Sequence, residues 1–199
     1  MSLPTLEWRR EVLALYSAIR HAPDPVAGHQ IWREERDVLL KTHAVSPVLP
    51  EARASYPGAD VRPYDPAYRF VCRILDAEPM RLDVPTTTDG VVPFERIGRA
   101  ELPGLGSLDV WWLDSYGGGV FIPVKDALAG RGTYGGGRYV IDTAKGADLG
   151  GRHGELVLDL NFAYQPSCAY DPAWMCPLAP PGNVLPVELP VGEFSRDPS

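Results

Sequence analysis

The chain has 199 residues, 45% of them hydrophobic and 23% charged, which is the size and apolar content of one globular domain with one core. A formal net charge of -7 offers no basic surface for a phosphate backbone and so argues against a nucleic-acid partner. The N-terminus shows no basic stretch leading into an apolar run, which predicts no signal peptide, no membrane anchor, a cytoplasmic location and therefore free thiols at Cys72, Cys168 and Cys176.

Between residues 5 and 20, Trp8, Val12, Leu15, Tyr16 and Ile19 recur at intervals of three and four, the signature of an amphipathic helix. Pro23 and Pro25 end it. A second helix is expected over about 27–42, with Ile31, Val38 and Leu39 on one side, giving a helical arm over 1–45 that covers part of a later sheet. Pro47, Pro50, Pro57, Pro63 and Pro66 then predict an extended wrap with no helix.

After Tyr68 the sequence changes to short segments rich in β-branched and aromatic residues, separated by Gly, Pro and Asp. Strands are expected at 69–75, 81–84, 91–100, 107–114, 119–124, 137–143, 155–163 and 184–189. No helix-length segment separates them, so the predicted fold is mainly β: an antiparallel sandwich or partly closed barrel over 46–199, with a Pro-rich C-terminal loop and the helical arm packed on it. In 155–163, Leu156, Leu158, Leu160 and Phe162 alternate with Val157, Asp159 and Asn161, which places two polar groups on the face opposite the core.

The C-terminal third concentrates unusual residues in three runs: Thr133-Tyr134-Gly135-Gly136-Gly137-Arg138, Asp159-Leu160-Asn161-Phe162-Ala163-Tyr164, and Pro166-Ser167-Cys168-Ala169-Tyr170 followed by Cys176-Pro177. With Trp32-Arg33-Glu34-Glu35-Arg36, Ser46-Pro47, Pro63-Tyr64-Asp65-Pro66 and a terminal Gly192-Glu193, these runs resemble the bacterial family catalogued as domain of unknown function 1684 from about residue 32 to 193. Leu160 stands where that family usually has Phe, and Leu128-Ala129 replace a polar pair ahead of Gly130. The resemblance implies a shared fold and a shared C-terminal site, and it supplies no reaction.

The residues themselves narrow the chemistry. Gly135-Gly136-Gly137 lacks the lysine and following helix of a phosphate loop, so a turn or close backbone approach is expected there. Arg138 offers a planar fork to Asp126, Asp142, Asp159 or a bound acid. His21, His29, His43 and His153 are scattered, and Cys168 and Cys176 lack knuckle spacing, which predicts no metal and no cofactor. A nucleophilic Cys168 would need a base, and His153 is its nearest histidine in sequence; the alternative is a packing thiol. If strands 137–143 and 155–163 pair across the loop 144–154, Arg138, Asp142, Asn161, Tyr164 and Tyr170 converge, with Trp111, Trp112 and Trp174 as candidate walls. Such a patch either holds a small-molecule ligand, as a binding pocket or an enzyme, or pins the loop 165–182 in a structural or protein-interaction module.

Overall fold

The computed structural model describes residues 3–86 and 90–196. Helix α1 (Leu3–His21) buries Leu15, Tyr16 and Ile19 along one stripe. Helix α2 (Pro25–Thr42) begins where the Asp24 side chain accepts a hydrogen bond from the Ala27 N–H at 2.8 Å, with Pro25 in the first turn, where a missing N–H costs nothing. Its buried side is Gly28, His29, Trp32, Leu39 and Leu40, with Ile31 partly buried beside them; of the expected stripe Ile31, Val38 and Leu39, Val38 alone is exposed. The indole of Trp32, fully buried against Phe162, sets that rotation because it removes far more apolar surface from water than a valine can.

The segment after α2 departs from the expected wrap in two places. Pro50–Arg53 forms one helical turn, α3, since a proline opening a turn is compatible with helix where an interior one is not. Asp60–Val61 forms strand β1, whose antiparallel partner is the last strand of the chain.

Strands β2 (Arg69–Leu75), β3 (Arg81–Thr86), β4 (Gly90–Leu102), β5 (Gly106–Leu113), β6 (Val120–Val124), β7 (Arg138–Asp142) and β8 (Glu155–Asp159) form one antiparallel sheet in the order β7-β6-β5-β4-β2-β8, with β3 on β4. The long β4 serves two partners on one side, β3 along its first half and β2 at Arg99 and Ala100, and carries a bulge between Arg96 and Gly98. A Cβ at Gly98 would stand 2.5 Å from Ile74 Cγ2 and 2.6 Å from the Leu75 carbonyl, so glycine is what lets β2 approach there. The bent sheet curls until its ends meet: Tyr139 in β7 and Tyr164 just past β8 exchange backbone hydrogen bonds of 2.8 and 3.0 Å. Of the two expected architectures, the fold is the partly closed barrel.

Three strand expectations are corrected. β7 and β8 do not pair across 144–154; β7 pairs with β6 and β8 with β2, because Asp142 and Ala147 exchange hydrogen bonds and fold the chain back at once. β8 stops at Asp159, whose carboxylate accepts the Asn161 N–H at 3.1 Å and starts a 3-10 turn over Leu160–Phe162. Residues 184–189 form no strand. Pro186 and Pro190 remove ladder donors, and the backbone bonds instead to Lys125, Ala127 and the Asp126 carboxylate. Leu185, Leu189 and Val191 from this segment fill the barrel with Leu102, Leu108, Val124 and Leu158. Glu193–Phe194 then forms β9 against β1.

The helices close a second cluster, in which Leu15, Tyr16, Ile19, Trp32 and Leu39 meet Val61, Ala147 and Phe162. Among the described residues no helix is long and apolar enough to cross a membrane.

Candidate functional site

The residues singled out in the sequence are drawn into separate networks. Arg138 is fully buried, pairs with Asp126 at 3.5 Å and donates to the carbonyls of Val191 at 2.5 Å, Glu193 at 3.2 Å and Leu189 at 3.4 Å. Burial lowers its pKa while Asp126 and Glu193 oppose that shift. Of the candidate partners for this arginine, Asp126 is the one the fold supplies. Asp142 sits at the end of β7 beside Lys145, 3.5 Å away. Asn161 is fully buried; its amide donates to the Asp159 carboxylate and the Asp65 carbonyl at 2.8 Å each, and its oxygen accepts the Asp65 N–H at 2.8 Å. Asp159 also accepts the Tyr64 hydroxyl at 2.9 Å, and burial raises its pKa. The Asn161 carbonyl accepts a bond from His29 Nε2 at 3.0 Å, so the polar side of 155–163 is covered by α2.

Tyr164 and Tyr170 belong to a different cluster, centred on Glu193. This carboxylate, 1% exposed, pairs with Arg36 Nη2 at 2.8 Å, accepts the Gln165 N–H at 2.8 Å and accepts the Tyr170 hydroxyl. Arg36 also donates to the Tyr170 hydroxyl at 3.1 Å, and its guanidinium lies 5.5 Å from the ring centres of both Trp32 and Tyr164. Burial weakens the Arg36 charge, but Glu193 first and Tyr170 next outweigh it and hold its pKa above the ordinary value. Burial likewise keeps the Tyr164 and Tyr170 phenols protonated, far above their usual range.

Beside this cluster opens a cleft of about 270 Å³ whose walls include Tyr56, Tyr134, Gln165, Tyr170, Glu193 and Phe194. Two donors at it are shielded from water and make no hydrogen bond of good geometry: Arg36 Nη1, behind the wall, and the Tyr56 hydroxyl, although the Tyr170 hydroxyl is its neighbour. Burial and then the charge of Glu193 push the Tyr56 phenol up to about 12, so it stays a donor at neutral pH. The tryptophans proposed as walls lie elsewhere: Trp111 Nε1 donates to Asn183 at 2.9 Å, and neither Trp112 nor Trp174 lines this cleft. A second, more open cleft of about 660 Å³ lies between the α1–α2 turn and β2, β8 and the 149–152 loop.

Cys168 stands at the edge of the first cleft. It is a free thiol in a 3-10 turn (Ser167–Ala169), half-buried, and its backbone N–H donates to Cys176 Sγ at 3.4 Å. The Tyr134 hydroxyl donates to Cys168 Sγ at 3.5 Å, and the two thiols hydrogen-bond each other. His153 lies in the exposed 150–154 loop and makes no contact with the pair. The glycine run positions Tyr134: a Cβ at Gly136 would stand 2.7 Å from the Tyr134 ring, and Gly137, at φ +93°, lies so that a Cβ would be 2.9 Å from the Val124 carbonyl. That is the close backbone approach expected of the run.

Sequence reasoning named Tyr164, Cys168 and Tyr170 but not Arg36, Tyr56, Tyr134 or Glu193 as site residues. The signal for Arg36 and Glu193 was present in the family-like Trp32–Arg36 run and the terminal Gly192-Glu193 pair. Among the described residues, no three or more His, Cys, Asp or Glu side chains gather as a metal site.

Comparison with known proteins agrees with this architecture. The solution NMR structure of an uncharacterised protein of Haloarcula marismortui, from gene locus rrnAC0354, is 32% identical and aligns over 83% of this chain and 91% of its own, with a TM-score of 0.58. No curated protein matches. The family described as protein of unknown function (DUF1684) matches residues 54–194, a span that holds the whole sheet, the thiol pair and Glu193, and the chain belongs to that family.

Proposed function

We propose that the protein binds a small, neutral, oxygen-bearing molecule in the cleft between Tyr56, Tyr134, Tyr170 and Phe194. The observation that carries this reading is the shielded Tyr56 hydroxyl in the cleft wall, with the Arg36 Nη1 donor behind that wall, since a buried donor without an acceptor is costly and rare in a native fold. A carbonyl or hydroxyl oxygen bound in the cleft gives the Tyr56 hydroxyl its acceptor. A strongly anionic ligand fits less well, because Glu193 already balances the Arg36 charge. The phenols of Tyr134 and Tyr170 and the ring of Phe194 supply flat apolar walls with polar rims, as small-ligand sites commonly have.

A thermal-shift screen of neutral polyols, amides and ketones tests this. Ligand at about 100 times its dissociation constant stabilises the fold by roughly 2.7 kcal/mol, a readily measured shift. Tyr56→Phe should weaken the ligand about 5- to 10-fold, the value of one hydrogen bond, while leaving the free protein as stable as before. An unchanged affinity in Tyr56→Phe refutes the assignment.

A second reading is favoured by one observation: the Glu193 carboxylate already holds Arg36, Tyr170 and the Gln165 N–H, and the Gln165 side chain donates to the Phe194 carbonyl at 2.9 Å. On that reading the cluster pins the loop 165–182 in a structural or interaction module. No compound would then shift the melting temperature.

A further inference from the structure

Cys168 and Cys176 are the two thiols outside the barrel core, and the fold has gathered hydrogen-bond donors onto both. Cys176 Sγ accepts the Cys168 N–H at 3.4 Å and a bond from the Cys168 thiol, while Cys168 Sγ accepts the Tyr134 hydroxyl at 3.5 Å. Both are half-buried, on a proline-bounded segment that also exposes Met175 and Leu178. Cys72 is different: it is buried in the barrel, and its thiol donates to the Glu101 carbonyl at 3.3 Å.

We propose that Cys168 and Cys176 form a redox-active dithiol whose substrate is a hydroperoxide, with Cys176 as the attacking sulfur and Cys168 as the resolving one. The fixed backbone donor and the nearby Lys145 charge assign the roles. Cys176 receives donors from Cys168 and carries Lys145 in its electrostatic surroundings, conditions that favour its thiolate. Cys168 keeps its proton, chiefly because it donates it to Cys176, and burial acts in the same direction. In the first step the Cys176 thiolate attacks the peroxide oxygen, the O–O bond breaks, the sulfur is oxidised to a sulfenic acid, and the departing alkoxide takes a proton from solvent. In the second, Cys168 sulfur attacks the sulfenic sulfur, the S–O bond breaks, and the hydroxide leaves with the Cys168 proton as water. Two thiols and one hydroperoxide give one disulfide, one alcohol and one water. The Cys168 N–H already meets Cys176 Sγ at 3.4 Å, so the two residues are neighbours before the second step. Neither step uses the ligand proposed for the cleft.

The test titrates the full chain with hydrogen peroxide while counting free thiols and mapping peptides by mass spectrometry. The expected result is loss of the Cys168 and Cys176 thiols together, with a Cys168–Cys176 disulfide and Cys72 intact. Cys168→Ser should halt at a Cys176 sulfenic acid, captured by dimedone, and Cys176→Ser should slow oxidation of the pair at least ~10-fold. Should a serine variant fail to fold, substoichiometric iodoacetamide on the wild-type chain still decides: Cys176 is expected to be labelled about tenfold faster than Cys72 or Cys168. Preferential oxidation of Cys72, resistance of both loop thiols in the folded chain, or faster labelling of Cys168 overturns the proposal.

Discussion

Lowering the pH should destabilise this fold through one buried histidine. His29 is 3% exposed and boxed by aromatic rings, with centroids 5.6 Å from Trp32, 5.5 Å from Tyr64 and 5.2 Å from Phe162. Desolvation lowers its pKa from 6.5 to about 4; the Asn161 carbonyl opposes the shift, and the charge of Arg33 adds to it. The imidazole is therefore neutral in the fold, with Nε2 carrying the hydrogen donated to Asn161. In the unfolded chain the ring takes up its proton near 6.5, so its contribution is full above that pH, is lost progressively below it, and is gone once the pH falls through about 4. At about 1.4 kcal/mol per unit, discounted for relaxation around the site, the loss is roughly 2–3 kcal/mol. Asp159 works in the opposite direction, since a carboxyl whose pKa is raised by burial favours the fold as pH drops. The assay is urea unfolding of the wild type and of His29→Gln at a series of pH values between 7 and 4, with an NMR titration of the four histidine ring resonances. Glutamine retains a donor for the Asn161 carbonyl but cannot titrate, so the difference between the two curves should shrink by roughly 2–3 kcal/mol across that range. A His29 resonance titrating at or above 6.5, or parallel stability curves, would refute the reasoning.

Two further outcomes test the polar networks. Arg36→Met leaves Glu193 and the Tyr170 hydroxyl buried without their cation and should cost about 3–5 kcal/mol in urea unfolding, whereas adding Glu193→Leu should restore most of it; a double variant no more stable than the single would show that packing, not the uncompensated charge, is responsible. Asn183→Leu removes bonds of 2.9 Å to the Trp111 indole, the Asp109 carbonyl and the Pro123 carbonyl, and should cost roughly 2–3 kcal/mol while speeding hydrogen exchange at the Trp111 indole; unchanged exchange would show that Asn183 does not hold Trp111.

Much of the barrel was legible because its strands carry their own signal. Alternation and β-branched content marked β2 through β7 to within a few residues, and the absence of helical segments between them required antiparallel pairing. What was not legible is which distant strand each one meets. β8 lies beside β2, far away in sequence, and nothing in the Glu155–Asp159 run distinguishes that partner from β7. The reading of 184–189 failed for a related reason: Leu185, Val187 and Leu189 alternate as a strand would, yet the prolines forbid the ladder and the same alternation serves to fill a barrel. Asn161 and Tyr170 look like neighbours in a motif, but the 3-10 turn after Asp159 rotates Asn161 under α2 while Tyr170 faces Arg36. Arg36 sits in a run of charges that by composition reads as a solvated helix face, and the buried Glu193 across from it shows otherwise.

The density of polar residues in the C-terminal third has a physical cause in the backbone of the last segment. A strand satisfies its N–H and C=O groups in a ladder, but the chain from Asn183 to Glu193 runs largely without one while Asn183, Leu185, Leu189, Val191 and Glu193 are buried. Side chains supply the missing partners: Arg138 donates to the carbonyls of Leu189, Val191 and Glu193, and Asp126 accepts the Leu189 N–H. Asn183 and Glu193 work in the reverse direction, giving side-chain bonds to the backbone of the sheet and of the 165–182 loop. Arg138, Asp126, Asn183 and most of Glu193 are therefore committed to holding the chain in place, and a ligand would have to displace structure to reach them. Beside the cleft the groups left with capacity for chemistry are the Tyr56 hydroxyl, Arg36 Nη1 and the two thiols, with Tyr134 lining the cleft and donating to Cys168; the Tyr16 hydroxyl and Arg138 Nε also make no hydrogen bond of good geometry, but neither residue lines that cleft. Function in this fold is to be sought where the backbone no longer needs the side chains, and that condition singles out the edge between the cleft and Cys168.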